Sequence, residues 1–241
     1  MPHDVRSNVG VSNDESHHEA RWPPRGGALD RLARWLEGGG DGVETDRLLD
    51  LSTVLAAPAL DAIHPEVTRF YLDPGRYRMR AGVHASRFSG ALLDLLALVS
   101  RQGRLPDRDR GDEGGDGFEG YPVRQVLYRD ARGRTHWDRY ILIDRTWQRF
   151  FIARLEGQSS HVVETFVVYG IPFALTFRAS VEDDDLVLSL VPKWSSPMSW
   201  FARVVYRTGI SEHGVHTRGD FRVPIVGFRV RTEFRASRTE P

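Results

Sequence analysis

The fold is decided by residues 121–192, YPVRQVLYRDARGRTHWDRYILIDRTWQRFFIARLEGQSSHVVETFVVYGIPFALTFRASVEDDDLVLSLVP. Within it, Trp137 to Asp144, Thr146 to Leu155, His161 to Tyr169, Phe173 to Val181 and Leu186 to Val191 are each rich in β-branched and aromatic residues. Such residues suit a pleated, half-buried surface. Turn signals separate the runs: Asp130-Ala131-Arg132-Gly133, Glu156-Gly157, Gly170 ahead of Pro172, and Asp183-Asp184-Asp185. Links this short make hairpins, because a parallel pair needs a long crossover. The stretch reads as an antiparallel meander.

Downstream, Ser195-Ser196-Pro197 suit a helix start, and Trp200, Phe201, Val204 and Val205 then form a stripe to Gly209. Such a stripe serves as core, as a lid over a cavity, or as a membrane-surface contact. His213, His216 and Asp220 follow in a Gly-rich segment. Histidines at this spacing are compatible with a metal, but no third ligand has forced spacing, so a surface loop is expected. Phe221 to Phe234 closes the fold with one or two strands, with Pro224 at a bulge or an edge.

Upstream, Leu60 to Leu72 contains Ile63 to Tyr71, in which Pro65 suits the first turn of a helix and Val67, Phe70 and Tyr71 then share a face. Arg76 to His84 alternates as a strand, and Ser89 to Ser100 is helical with Leu92, Leu93, Leu96 and Val99 aligned. Residues 105–120 form an acidic flexible loop; Gly111 stands where the third ligand of a calcium loop belongs. Residues 28–58 read as a helical N-terminal arm, with helices over Ala28 to Glu37 and Glu44 to Ala57. Residues 1–27 are polar and read as a disordered tail, in which His17-His18 is a weak ligand pair. The β-rich main domain is expected over 59–236.

The 241 residues hold 40% hydrophobic and 10% aromatic side chains, enough for a substantial core. Lys plus Arg equals Asp plus Glu at 33 each, so no bulk attraction to nucleic acid follows. The chain has no Cys, which excludes disulfides, thiolate zinc sites and a Cys nucleophile. Neither a secretory apolar region nor a bilayer-spanning run is present, so a cytoplasmic, soluble protein is the expectation. No G-x-S-x-G elbow, P-loop, dinucleotide fingerprint or H-E-x-x-H occurs, and no cofactor or metal is assigned.

Charges within the strands carry what chemistry the sequence shows. Period-two geometry groups Trp137, Arg139, Ile141 and Ile143; then Trp147, Arg149, Phe151 and Ala153; then Val162, Glu164, Phe166 and Val168. Arg139, Arg149 and Glu164 are therefore expected among large apolar side chains, where an unpaired charge is costly. Glu164 is expected to pair with Arg139 or Arg149 on the sheet's concave face. An internal ion pair with arginines reaching a rim is the structural reading. The functional reading is a cavity lined by Arg139, Arg149, Glu164, Trp137 and Trp147, in which an Arg fork holds a carboxylate or phosphate head.

Three landmarks also carry a resemblance: His64-Pro65-Glu66-Val67 with Arg69-Phe70-Tyr71, Trp137-Asp138-Arg139-Tyr140, and Val163-Glu164-Thr165-Phe166. Over roughly Leu60 to Phe234 the chain resembles a bacterial domain of unknown function that also occurs at the C-terminus of YndJ-like proteins. The resemblance implies no activity. It implies that Arg139 and Glu164 merit testing, and its YndJ-like context implies a membrane-associated partner.

The expected fold is α+β and mainly antiparallel β. It is a strongly curved sheet or barrel, lipocalin-like or helix-gripping, with flanking N-terminal helices. The expected function is binding of a small amphipathic or lipid-like ligand in the β cavity. The alternatives are a protein-interaction or accessory domain using Trp200 and Phe201, and an enzyme using Glu164 with Arg139. Peripheral membrane contact stays open among the partners.

Overall fold

The computed structural model describes residues 43–45, 47–100, 120–130, 132–143, 145–168, 171–193 and 198–238. The expected tail, the helix over 28–37 and all but the last residue of the acidic loop lie outside the described residues.

In chain order the strands are β1 Val43–Glu44, β2 Tyr77–Ala85, β3 Tyr121–Arg129, β4 Thr135–Ile143, β5 Thr146–Gln158, β6 His161–Val168, β7 Ile171–Glu182, β8 Asp185–Leu190, β9 Arg203–Ser211, β10 Gly214–Val223 and β11 Phe228–Arg238. The helices are α1 Ala57–Asp61, α2 Pro65–Leu72, α3 Arg87–Ser100 and α4 Met198–Phe201. From β2 to β11 each strand pairs antiparallel with the next, and β11 pairs back onto β2. The result is a closed ten-strand antiparallel barrel, with β1 attached outside it along β3. Closure removes the exposed edges that an open sheet of this size would carry.

Two tight hairpins show how local chemistry sets the meander. Ser159 and Ser160, and again Asp183 and Asp184, both take positive φ, as two-residue turns matched to strand twist require. The first of these turns lies beyond Gly157, where the sequence pattern had suggested a turn at Glu156-Gly157. Gly157 instead belongs to β5, and a Cβ there would run into the Thr53 side chain. It marks a close approach of backbone to its neighbour.

That neighbour is a plug. Leu48, Leu49, Leu51, Val54, Leu55, Ile63, Val67, Phe70 and Tyr71 join the same core as the inward faces of the strands. The helix expected over Glu44 to Ala57 does not form. Val43–Glu44 is a strand, Leu51–Thr53 a single 3-10 turn capped by Asp50, and α1 starts only at Ala57. The side chain of Asp50 competes for the backbone N–H of Ser52, and Leu48 and Leu49 donate to the carbonyls of Leu72 and Tyr71 at 3.1 and 3.0 Å. α2 forms as its sequence suggests, with Pro65 at its start and Val67, Phe70 and Tyr71 buried.

The plug spans the bore at the end where β2, β4, β6, β8 and β10 begin. The Phe70 ring meets Trp137 of β4 edge-on at 5.9 Å and Tyr77 of β2 at 5.3 Å. The Tyr71 hydroxyl lies 3.1 Å from Thr208 of β9, which in turn lies 3.1 Å from Thr217 of β10. β4 and β9 face each other across the ring.

Two further expectations are corrected. The helix expected over Ser195 to Gly209 ends at Phe201, and β9 follows, so Val204 points in while Val205 points out. His216 and Asp220 sit in β10 rather than in a loop, leaving only His213 in a turn.

Because Phe70 wedges the plug against two strands, Phe70→Ala is expected to cost about 3–5 kcal/mol of unfolding free energy. Urea denaturation of the two proteins measures it.

Candidate functional site

Alternation on β4 and β6 delivers Arg139 and Glu164 to the barrel interior. Trp137 and Ile141, flanking Arg139, are buried, and so are Val162 and Phe166, flanking Glu164. Glu164 is 6% exposed. Among the described residues its carboxylate makes no hydrogen bond and no ion pair within 4 Å; it is coupled to Arg139 through space. Burial pushes the Glu164 carboxyl up to about 7, against the pull of Arg139. Burial likewise lowers Arg139 to about 10, opposed by Glu164, so the guanidinium stays charged at neutral pH.

Arg139 is held by rings. Its guanidinium carbon lies 3.4 Å from the Trp137 ring centroid and 5.0 Å from that of Phe234 on β11. A desolvated cation over an indole face is well stabilised. Two phenols complete the group. Burial raises the pKa of Tyr71 and of Tyr206, and both are coupled electrostatically to Arg139 and Glu164. Arg139 and Tyr206 take inward positions on β4 and β9, and both are half-buried.

The other two arms of the expected site separate from it. The β4–β5 ladder steps from Arg139–Phe151 to Tyr140–Arg149, passing over Phe150 as a bulge. Ala153, opposite Trp137, therefore keeps the inward register. Arg149 falls opposite Tyr140, and Trp147 opposite Leu142, in the outward register. The single alternation expected for Trp147, Arg149, Phe151 and Ala153 thus breaks at one extra residue. The side chain of Arg149 lies outside the described residues, and Trp147 is half-buried.

Sequence reasoning missed the phenols. By sequence Tyr71 is one member of a helix face, and Tyr206 falls within the expected helix. The pattern Val204, Tyr206, Thr208 was the signal available for the second. It also missed a buried cluster on the outer side of β4. Asp130 accepts from the backbone N–H groups of Arg132 and Arg134, each at 2.9 Å, from Arg134 Nε at 2.6 Å and from His136 Nε2 at 3.0 Å. Burial pushes the Asp130 carboxyl up, but these donors outweigh it and hold it well below the usual range. His136 stacks on Tyr128 at 5.1 Å, and burial lowers its pKa. This cluster ties down the β3–β4 turn.

His216 lies 3.0 Å from Glu233, and Asp220 pairs with Arg222. Among the described residues no group of three His, Cys, Asp or Glu side chains is placed to hold a metal. No helix there is long and apolar enough to cross a membrane. Protein-family models, curated proteins and solved structures contain no match to this chain.

Glu164 makes stability depend on pH with a definite sign. Its folded pKa, about 7, exceeds the ordinary 4.5, so the native state holds a proton that the unfolded chain has released. Its contribution is fully present below about pH 4.5 and is lost as pH rises to about 7. The loss is on the order of 3 kcal/mol. His136 and His216, both lowered, act in the opposite sense. Glu164→Gln is therefore expected to remove a downward slope, read as the difference between two urea-denaturation series across pH 4.5–7.

Proposed function

We propose that the barrel binds a small amphipathic, lipid-like molecule without transforming it. The observation that carries this is the gathering of half-buried Arg139 and Tyr206 with Glu164 and Tyr71 on the inner side of a barrel whose core is mostly apolar. Eight strands already leave a bore that side chains fill or that holds one small ligand, and ten leave more. The plug occupies one end. Toward the other, half-buried Tyr121, Ile143, Leu190, Phe221 and Val223 continue the apolar wall. An apolar wall with a few convergent polar groups is the usual make-up of a small-molecule site.

In this reading Arg139 is the anchor. Its planar fork, fixed against Trp137, suits a carboxylate or phosphate head, and Tyr71 and Tyr206 offer hydroxyls beside it. Glu164 sets the condition for binding: protonated, it tolerates an anion near Arg139; ionised, it competes for the guanidinium. The likeness to the YndJ-linked domain stands alongside as a proposal. Its support is that the three landmarks meet here, through Phe70 against Trp137 and Tyr71 coupled to Arg139 and Glu164.

Acid–base catalysis by Glu164 is a second reading, favoured by the burial of its carboxyl on the inner wall near Arg139. A carboxyl brought to about 7 suits proton transfer at neutral pH.

Titration of the protein with a medium-chain fatty acid, followed by native mass spectrometry and thermal shift, tests the first reading. One molecule is expected to bind, about tenfold more tightly at pH 6 than at pH 8. Glu164→Gln is expected to abolish that pH dependence, and Arg139→Met to abolish binding. A clean apo mass and an unmoved Tm across an acyl and isoprenoid panel would contradict it. Chemical change of the bound molecule would favour the catalytic reading.

A further inference from the structure

The two ends of the barrel differ in kind. Nine large hydrophobic side chains are exposed among the described residues, and seven lie in connections at the end away from the plug. Phe88, Leu92 and Leu95 stand on α3, between β2 and β3. Trp200 and Phe201 stand on α4, between β8 and β9, at 48% and 54% exposure. Ile225 and Val226 occupy the short turn between β10 and β11. In the sheet these connections serve six successive strands, β3-β2-β11-β10-β9-β8, so the apolar groups form one arc of the rim.

Cations border that arc. Arg203, Arg222 and Arg229 are cross-strand neighbours in a single row just below it, and all are exposed. Asp220 pairs with Arg222 and approaches Arg229 at 4.0 Å, leaving the row net positive. Arg87 opens α3, and Lys193 follows β8, both exposed. The plug end is different: its hairpin turns carry Ser159 and Ser160, Asp183 and Asp184, and Glu212 and His213, and among the described residues Ile210 alone is a large exposed apolar side chain beside them.

We infer that this rim docks on the surface of an anionic phospholipid bilayer, with the apolar arc entering the headgroup boundary and the arginine row meeting lipid phosphates. An apolar edge backed by Arg is the arrangement that holds a protein in the interface plane. Arginine stems can lie along the apolar boundary while their heads meet phosphate. Contact stops at the rim, because the wall carries exposed Arg80, Arg124, Arg178 and Arg218, which lipid tails would not accept. The inference rests on the barrel's exterior and holds whether or not the bore takes a ligand.

Flotation of the full chain with vesicles tests it. Binding is expected to vesicles of phosphatidylcholine mixed with phosphatidylglycerol, to fall with added salt, and to be at least about tenfold weaker on phosphatidylcholine alone. Trp200→Ser with Phe201→Ser, and separately Ile225→Ser with Val226→Ser, should each weaken binding about tenfold with Tm unchanged. Arg203→Glu with Arg87→Glu should weaken binding to anionic vesicles alone, and Arg132→Glu, at the plug end, should change nothing. Three results would overturn the inference: no flotation of the wild-type chain, flotation indifferent to the rim substitutions, or concentration-dependent self-association through Trp200 and Phe201 without vesicle binding.

Discussion

A ten-strand barrel has a wide bore, and the way that bore is filled organises the molecule. At one end the chain fills the bore with its own residues 48–72. Their apolar side chains complete a core that the strands alone would leave hollow. The fit is made by particular groups: Phe70 edge-on to Trp137 and Tyr77, the Tyr71–Thr208–Thr217 line of hydroxyls, and Gly157 stepping aside for Thr53. An apolar plug forces its own sequence to give up regular helix where shape demands it, as between Leu48 and Ala56.

Where the plug stops, polar groups appear on the inner wall, and two buried carboxylates show what their surroundings decide. Asp130 is buried but receives donors on both oxygens, so it remains an anion well below the usual range. Glu164 is buried with a cation only at a distance, and burial brings it up to about 7. The first arrangement holds a turn in place. The second leaves a group whose charge changes near neutrality, next to an arginine kept in position by an indole. Arg139 and Glu164 are coupled through space rather than by direct contact.

Much of this was legible in the sequence. Period-two spacing placed Trp137, Arg139 and Ile141 on one face, and Val162, Glu164 and Phe166 on another, because one buried side fixes the register of a strand. The same rule failed for Trp147 and Arg149, since a one-residue bulge reverses every side chain beyond it and leaves no local mark. Trp200, Phe201, Val204 and Val205 satisfy a helical stripe, while Val204, Tyr206 and Thr208 satisfy a strand. Pairing with β8 and β10 decided between them. Glu44 to Ala57 carries leucines at helical spacing, but those residues answer to the bore they fill and to the Asp50 cap. The coupling of Tyr71 to Tyr206 needed tertiary structure, since the plug joins residues 135 positions apart only after the barrel closes.

The two barrel ends then have separate work: one is sealed from within, and the other presents apolar groups bordered by arginine. Between them, Arg139 and Glu164 stand on the inner wall, coupled to each other and to Tyr71 and Tyr206. The most direct measurement is the side-chain carboxyl ¹³C titration of Glu164 in the intact protein. The account requires a midpoint near 7, moving upward when an amphipathic anion is added. A midpoint near the ordinary 4.5, unmoved by the anion, would contradict it.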